Sequence, residues 1–296
     1  MRVANYWLFA PLGAGGMGVV YKAYHDDKGD TLFAVKILPQ SSKSNTDFIR
    51  NLKSEGEITE KLSGHPCLVN FVSSGQDQGE YYLVTDFLDG VRLDLRIEKE
   101  GKLPVNEVLF IGLRLIAAET HIYNRGYLHR DLKPGNIILS PEHGVVLYDY
   151  GICMPIADAQ HVEDDYCEGT PAYLPPERVL GEGEQASSEI YSLGMLLYHA
   201  AAGHSFIDPN ISYEELKALV TSRRNQARKG LQLKEIASDE LAAVIGKMIE
   251  RQAPNRYQSM VEVERDLLTI LQDNFRSNAY GRLVGISQGP AKNTVE

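Results

Sequence analysis

Asp131, Lys133 and Asn136 fall close together in the run His129-Arg130-Asp131-Leu132-Lys133-Pro134-Gly135-Asn136. Pro134 and Gly135 keep this stretch out of a helix, so a carboxylate, an ammonium and a carboxamide project from a single loop. The apolar, strand-like run Ile137-Ile138-Leu139 follows, and residues from Pro141 to Gly144 turn the chain. A second strand-like run, Val145–Tyr148, then delivers another carboxylate, Asp149, ahead of Tyr150 and Gly151. A base, a cation, an amide and a further carboxylate on neighbouring loops are the set that a magnesium-assisted phosphoryl transfer uses.

Two upstream stretches could present a phosphate to that loop. Leu12-Gly13-Ala14-Gly15-Gly16-Met17-Gly18-Val19-Val20 spaces Gly13, Gly15 and Gly18 between two strand-like runs. Glycine lets the backbone approach a phosphate and offer amide donors, but the spacing alone fits a plain hairpin as well as a nucleotide loop. A dinucleotide fingerprint would open a helix here and place an acid about 20 residues on. Instead a strand follows, and a lysine arrives within Ala34-Val35-Lys36-Ile37.

Lys36 lies among Leu32, Phe33, Val35 and Ile37. An unpaired ammonium in such a strand is costly, so it requires anionic partners. Phosphates are one, and a helix carboxylate is the other. Glu55 is the expected partner because it shares a helical face with Leu52, Ile58 and Leu62, and Glu57 is the runner-up.

The elements that must hold these groups change character along the chain. Short β-rich runs fill the first ninety residues (Trp7–Pro11, Gly18–Tyr24, Leu32–Leu38, Leu68–Ser73 and Tyr81–Phe87), interrupted by one helical pattern around Phe48–Leu62. Past Gly90 helices dominate: Val105–Asn124, Glu189–Ala202, Tyr213–Val220, Asp239–Arg251 and Met260 to Phe275. The reading is α+β: one two-lobed domain over residues 1–275, with a small β-rich lobe to about 87, a hinge near 85–90 and a helical lobe from about 90. Residues 276–296 are polar and expected to be loosely ordered.

With 43% apolar residues the chain can bury a large core, and its net charge of −10 argues against nucleic acid or an anionic membrane as the main partner. Cys67, Cys153 and Cys167 have no zinc-ligand spacing and read as reduced thiols of a cytoplasmic protein. No run approaches the ~20 apolar residues of a membrane-spanning helix. A sensor or anchor on a longer parent chain stays open.

On His129 to Asn136, the glycine run and Lys36, the chain resembles the protein kinases over residues 6–275, and most of all the bacterial serine/threonine kinases of eukaryotic type. The resemblance implies ATP and magnesium (or manganese in its place), a bilobal fold, and transfer of the γ-phosphoryl group to Ser or Thr of a protein. It implies that the backbone of Asp86 and Leu88 meets the adenine, between Leu12, Val20, Ala34 and Ile138. Asp131 would be the base and orienter, Asn136 and Asp149 the metal ligands, and Lys133 the cation that neutralises the transferring group. Lys133 and Thr170, the latter packing against Asp131, favour serine and threonine over tyrosine. Glu177 of Pro175-Pro176-Glu177 would pair with Arg256. A nucleotide-binding pseudokinase scaffold is the alternative, and the presence of Lys36, Glu55, Asp131, Asn136 and Asp149 counts against it.

Three departures accompany the resemblance. Tyr150 stands where Phe is usual, adding a hydroxyl that needs a partner. Glu189 stands where Asp is usual, and its extra methylene bears on how the catalytic loop is held. The third concerns Arg130, which in relatives receives a phosphothreonine from the activation loop. From Ile152 to Gly169 there is no Ser or Thr, so Asp164 of Val162-Glu163-Asp164-Asp165 is the expected partner of Arg130. The acidic residues Asp158, Glu163, Asp164, Asp165 and Glu168, without a Lys or Arg between Tyr150 and Pro176, point to a basic acceptor. Arg223, Arg224, Arg228 and Lys229 read as a solvated surface, and redox control by Cys153 and Cys167 as a minor prospect.

Overall fold

The computed structural model describes residues 1–15, 18–39, 45–161, 168–222, 229–230 and 232–283, with side chains as far as 276. Its N-terminal part is a six-stranded antiparallel sheet ordered β1-β2-β3-β4-β6-β5. The strands are β1 (Arg2–Val3), β2 (Tyr6–Gly15), β3 (Gly18–His25), β4 (Leu32–Ile37), β5 (Phe71–Asp77) and β6 (Glu80–Asp86). In β4 the side chains alternate strictly, as a strand with two different faces must. Phe33, Val35 and Ile37 enter a small core with Tyr6, Leu8, Ala23 and Val84, which leaves Ala34 and Lys36 on the other face.

Helix α1 (Thr46–Leu62) starts where the Asn45 side chain accepts from the backbone of Asp47 and Phe48, satisfying two end donors. Its buried positions Leu52, Glu55, Ile58, Thr59 and Leu62 form one stripe, so the apolar repeat that seats the helix also turns Glu55 inward. Ile58 and Leu62 belong to the main core, which continues through the C-terminal part. Between the parts, Val69 N donates to Leu147 O (3.1 Å) and Leu147 N to Cys67 O (2.8 Å).

The C-terminal part contains β7 (Val91–Arg92), α2 (Leu93–Glu100), α3 (Val105–Asn124), β8 (Tyr127–Leu128), β9 (Ile137–Ser140), β10 (Gly144–Leu147), β11 (Met154–Pro155), α4 (Ile156–Ala159), α5 (Pro176–Leu180), α6 (Ala186–Ala202), α7 (Tyr213–Thr221), α8 (Asp239–Met248) and α9 (Met260–Leu283). Helix α6 is buried on nearly every side, as a central helix must be. Strands β10-β9-β7 form a three-stranded sheet, and β11 pairs with β8.

The expected elements differ from these in several places, and β2 runs on to Gly15 while α6 already starts at Ala186. The strand expected at Leu68–Ser73 starts at Phe71, because Cys67 and Val69 bond Leu147 instead. Helix α2 was not foreseen. The helix expected to Arg251 ends at Met248. Helix α9 passes Phe275 and runs to Leu283, into the stretch expected to be loose, and residues 284–296 lie outside the description.

Candidate active site

The alternation that buries Val35 places Lys36 across the sheet from it, facing α1. Its Nζ lies 2.7 Å from both Glu55 carboxylate oxygens and 3.7 Å from Asp149 Oδ1. Burial works against the Lys36 charge, but Glu55 and Asp149 outweigh it and hold its pKa above the ordinary value. Glu57 is exposed, so the partner is Glu55 as the helical face implied.

The loop from His129 to Asn136 is locked by its own side chains. Asp131 Oδ2 accepts from Lys133 Nζ (2.6 Å) and from Asn136 Nδ2 (2.9 Å), and Asn136 Nδ2 also donates to Asp131 O at 3.0 Å. His129 is fully buried, with Nδ1 accepting from Asp131 N (3.3 Å) and its ring edge-on to Tyr150. Burial pushes the His129 pKa down to about 4, so it supports the loop as a neutral ring. Tyr148 N donates to Asn136 O (3.0 Å) and its hydroxyl to Gly135 O (2.5 Å), tying the Asp149 segment to the loop.

Arg130 and Asp149 both adopt left-handed backbone, with φ of 71° and 69°, a conformation unusual for residues with a side chain. Asp149 Oδ1 accepts from Gly151 N at 3.2 Å. Burial would raise this carboxyl, but Lys36, the Gly151 amide and Lys133 overcome it and hold the pKa below the ordinary value.

A cavity of about 750 Å³ brings these groups together. Lys36, Asp131, Lys133, Asn136, Asp149 and Thr170 line it, roofed by Gly13, Ala14, Gly15, Gly18 and Val20. Gly15 pairs with Gly18 across the hairpin, and Gly18 has φ of 146° with Ile37 O only 2.8 Å from where a Cβ would sit, so only glycine fits. Val19 pairs with Ala14, while Gly16 and Met17 lie outside the described residues. Leu12, Ala34, Asp86, Leu88 and Ile138 are not on this cavity wall. Ala34 is paired with Thr85, Phe33 with Asp86, and Ile138 with Arg92, and Leu88 packs on the main core. Leu12 is 45% exposed. A second cavity, about 260 Å³ and lined by Pro176, Tyr191 and Lys229, contains none of these groups.

The donor set fits a hard divalent ion. Asp149 is a carboxylate kept ionised beside the cavity, and Asn136 spends its amide nitrogen on Asp131, which leaves its carbonyl oxygen for a ligand. Two protein oxygens suit magnesium, which draws its other ligands from phosphates and water.

Two of the three departures fall within the described residues. The Tyr150 hydroxyl reaches Leu147 O at 3.5 Å within the core. Glu189 Oε1 still accepts from Arg130 N (3.0 Å), so its longer side chain keeps hold of the loop. Glu177 and Arg256 form a buried two-point pair at 2.7 and 2.8 Å. Cys153 is buried and its thiol pushed up by burial, the environment of an inert thiol. Lys229 pairs with Glu250 at 2.5 Å. Asp164, Cys167 and Arg223, Arg224 and Arg228 lie outside the described residues; Arg130 Nε is found on Glu184 Oε1 at 2.9 Å. Glu184, Arg178, Arg92 and Asp94 were missed from sequence. The first two form a buried ion cluster, and the last two line the cavity mouth.

The protein kinase domain model matches residues 6–267, and the chain belongs to the protein kinase family. Its relatives include a probable serine/threonine-protein kinase of Clostridium perfringens, 30% identical over 91% of this chain and 38% of that protein. Others are the serine/threonine-protein kinases PknB of Mycobacterium leprae (30% identical, 90% of this chain and 43% of that one) and PrkC of Bacillus subtilis (27%, 90% and 40%). The chain thus spans about two fifths of the length of these relatives. The PknI kinase domain of Mycobacterium tuberculosis shares the fold, with a TM-score of 0.65 at 23% identity, covering 91% of this chain and 97% of that one. Membership of the family implies use of ATP and a divalent metal in general terms. Among the described residues no helix is long and apolar enough to cross a membrane.

Proposed function

We propose that residues 1–275 are the catalytic domain of a protein serine/threonine kinase. The supporting observation is the single hydrogen-bonded set Asp131, Lys133 and Asn136, facing the Lys36–Glu55–Asp149 cluster across one cavity. The acceptor hydroxyl oxygen attacks the γ-phosphorus of ATP, the bond to the β-phosphate oxygen breaks, and ADP leaves. Asp131 orients the hydroxyl and accepts its proton. Lys133, already 2.6 Å from Asp131, also neutralises charge on the moving phosphoryl group. Lys36, fixed by Glu55, places the phosphates beneath the Gly13–Gly18 turn. Leu12, Val19, Val20, Ala34 and Ile138 hold the nucleotide near the Asp86–Leu88 backbone, with Gly16 and Met17 as further contacts. Magnesium, or manganese, held by Asn136 and Asp149 would offset phosphate charge.

Lys133 and Thr170 support serine and threonine as acceptors, on a protein substrate with basic flanks. The test is transfer from radiolabelled ATP to a basic and an acidic acceptor protein, followed by phosphoamino-acid analysis. Label on serine or threonine supports the reading; label on tyrosine alone, or none, contradicts it.

A further inference from the structure

Behind the catalytic loop, three charged side chains that take no part in the transfer chemistry are buried together. Arg130, Arg178 and Glu184 are 4%, 6% and 2% exposed. Arg130 Nε donates to Glu184 Oε1 at 2.9 Å, and Arg178 donates to Glu184 Oε2 through Nε (2.7 Å) and through Nη2. One carboxylate therefore serves two guanidinium groups, a costly arrangement to bury unless each charge is held. Arg178 Nη1 also donates to the backbone oxygen of Arg130 (2.5 Å), while Glu189 accepts from its backbone nitrogen. Arg130 is thus gripped at its amide, its carbonyl and its side chain, all from the 178–189 stretch. It is a left-handed residue, and the next residue is Asp131.

The chain delivers Glu184 deliberately to this place. Gly181 and Gly183 are left-handed (φ 68° and 78°), and a Cβ on Gly183 would lie 2.5 Å from Gln160 O. That close approach lets Glu184 N donate to Ala159 O (2.9 Å) at the end of α4, which turns the glutamate inward.

We propose that Glu184 is a positioning residue for transfer. By fixing Arg130 and Arg178 it sets the Arg130 peptide, and so Asp131, without a phosphoryl group from the activation segment. Residues 152–169 hold no Ser or Thr, and the Arg130 Nε that an incoming phosphate would bind is already on a carboxylate. The proposal rests on the kinase reading.

The test compares the whole chain as wild type, Glu184→Gln and Glu184→Asp, reading kcat, KM for ATP, ATP affinity and the thermal midpoint. Glu184→Gln keeps the size and removes the charge; kcat is expected to fall about tenfold or more, with KM for ATP within about twofold. Glu184→Asp keeps the charge and should recover part of the loss. Should Glu184→Gln not fold, the double variant Arg178→Gln/Glu184→Gln removes opposite charges together and is expected to show the same kcat loss. Wild type treated with phosphatase, its mass confirmed, should keep its turnover. An unchanged kcat in Glu184→Gln overturns the proposal alone. So does a parallel loss of kcat, ATP affinity and thermal midpoint that Glu184→Asp does not relieve, or a loss of wild-type turnover with its phosphate. A wild type that binds ATP but transfers nothing overturns the kinase reading and this proposal with it.

Discussion

Lys36 Nζ stands 2.7 Å from both carboxylate oxygens of Glu55, so a single ammonium joins the N-terminal sheet to α1. The same atom is 3.7 Å from Asp149 Oδ1, on the segment that follows β10. Sheet, helix and the Asp149 carboxylate thus meet on one cation.

Removing that cation should abolish transfer while the domain stays folded. Lys36→Ala is expected to lose about a hundredfold or more in kcat/KM, since misplaced phosphates forfeit that much. Lys36→Arg should also be poor, because a planar fork does not replace a point charge between two carboxylates. Glu55→Ala should follow Lys36→Ala, and the exposed Glu57→Ala should behave as wild type. Damage from Glu57→Ala alone would contradict the pairing.

The Glu177–Arg256 pair is buried and bidentate, and Arg256 further donates to the backbone of Ser187, Glu250 and Arg251. Breaking one side leaves a buried charge unpaired, so Arg256→Met should cost about 3–5 kcal/mol in urea unfolding. The double variant Glu177→Gln/Arg256→Met should cost less than the sum of the singles. Strict additivity would show that the pair is not coupled.

Two buried groups give stability opposite pH dependences. His129 has its pKa depressed to about 4, so below pH 6.5 the unfolded chain takes up a proton that the folded one refuses. Stability therefore falls with pH through that window, and His129→Gln should lose about 2 kcal/mol less than wild type between pH 7 and pH 5. Glu119 has its carboxyl pushed well up by burial and by Glu189, and its Oε1 has no hydrogen-bond partner among the described residues. Its contribution is fully present below the ordinary carboxylate pKa and is lost as pH rises, so Glu119→Gln should stabilise more at pH 9 than at pH 6. Parallel pH profiles for wild type and variants would contradict either assignment.

Acceptor choice should follow charge. The stretch between Tyr150 and Pro176 carries five acidic residues and no Lys or Arg, and Glu168 lines the cavity mouth. A peptide library is expected to favour Lys or Arg beside the acceptor, more strongly at low salt. Enrichment of Asp and Glu there would contradict it.

The site was legible where chemistry and periodicity coincide. Lys36 among apolar neighbours demanded an anion, and the Leu52, Ile58, Leu62 stripe singled out Glu55 over Glu57 because a helix face is set by local spacing. Helix α3 was read to both ends, its apolar repeat being long. Strand β5 was misplaced because Cys67 and Val69 bond Leu147, a partner nearly eighty residues away that no local pattern announces. Helix α2 buries only Leu93 and Ile97, too little periodicity in a charged stretch to be read. Glu184 was missed for a related reason. Within Gly181-Glu182-Gly183-Glu184 it reads as a solvated loop, and only the close approach of Gly183 to Gln160 turns it inward.

Asp131→Asn keeps the shape of the loop and removes the carboxylate proposed to orient the acceptor hydroxyl and take its proton. The decisive measurement is the turnover number of this variant against wild type with a serine/threonine acceptor protein, alongside ATP affinity. Turnover should fall about a hundredfold or more, the scale for losing a positioned acid–base group, with ATP affinity retained. Turnover equal to wild type would contradict the assignment of Asp131 and, with it, of the site.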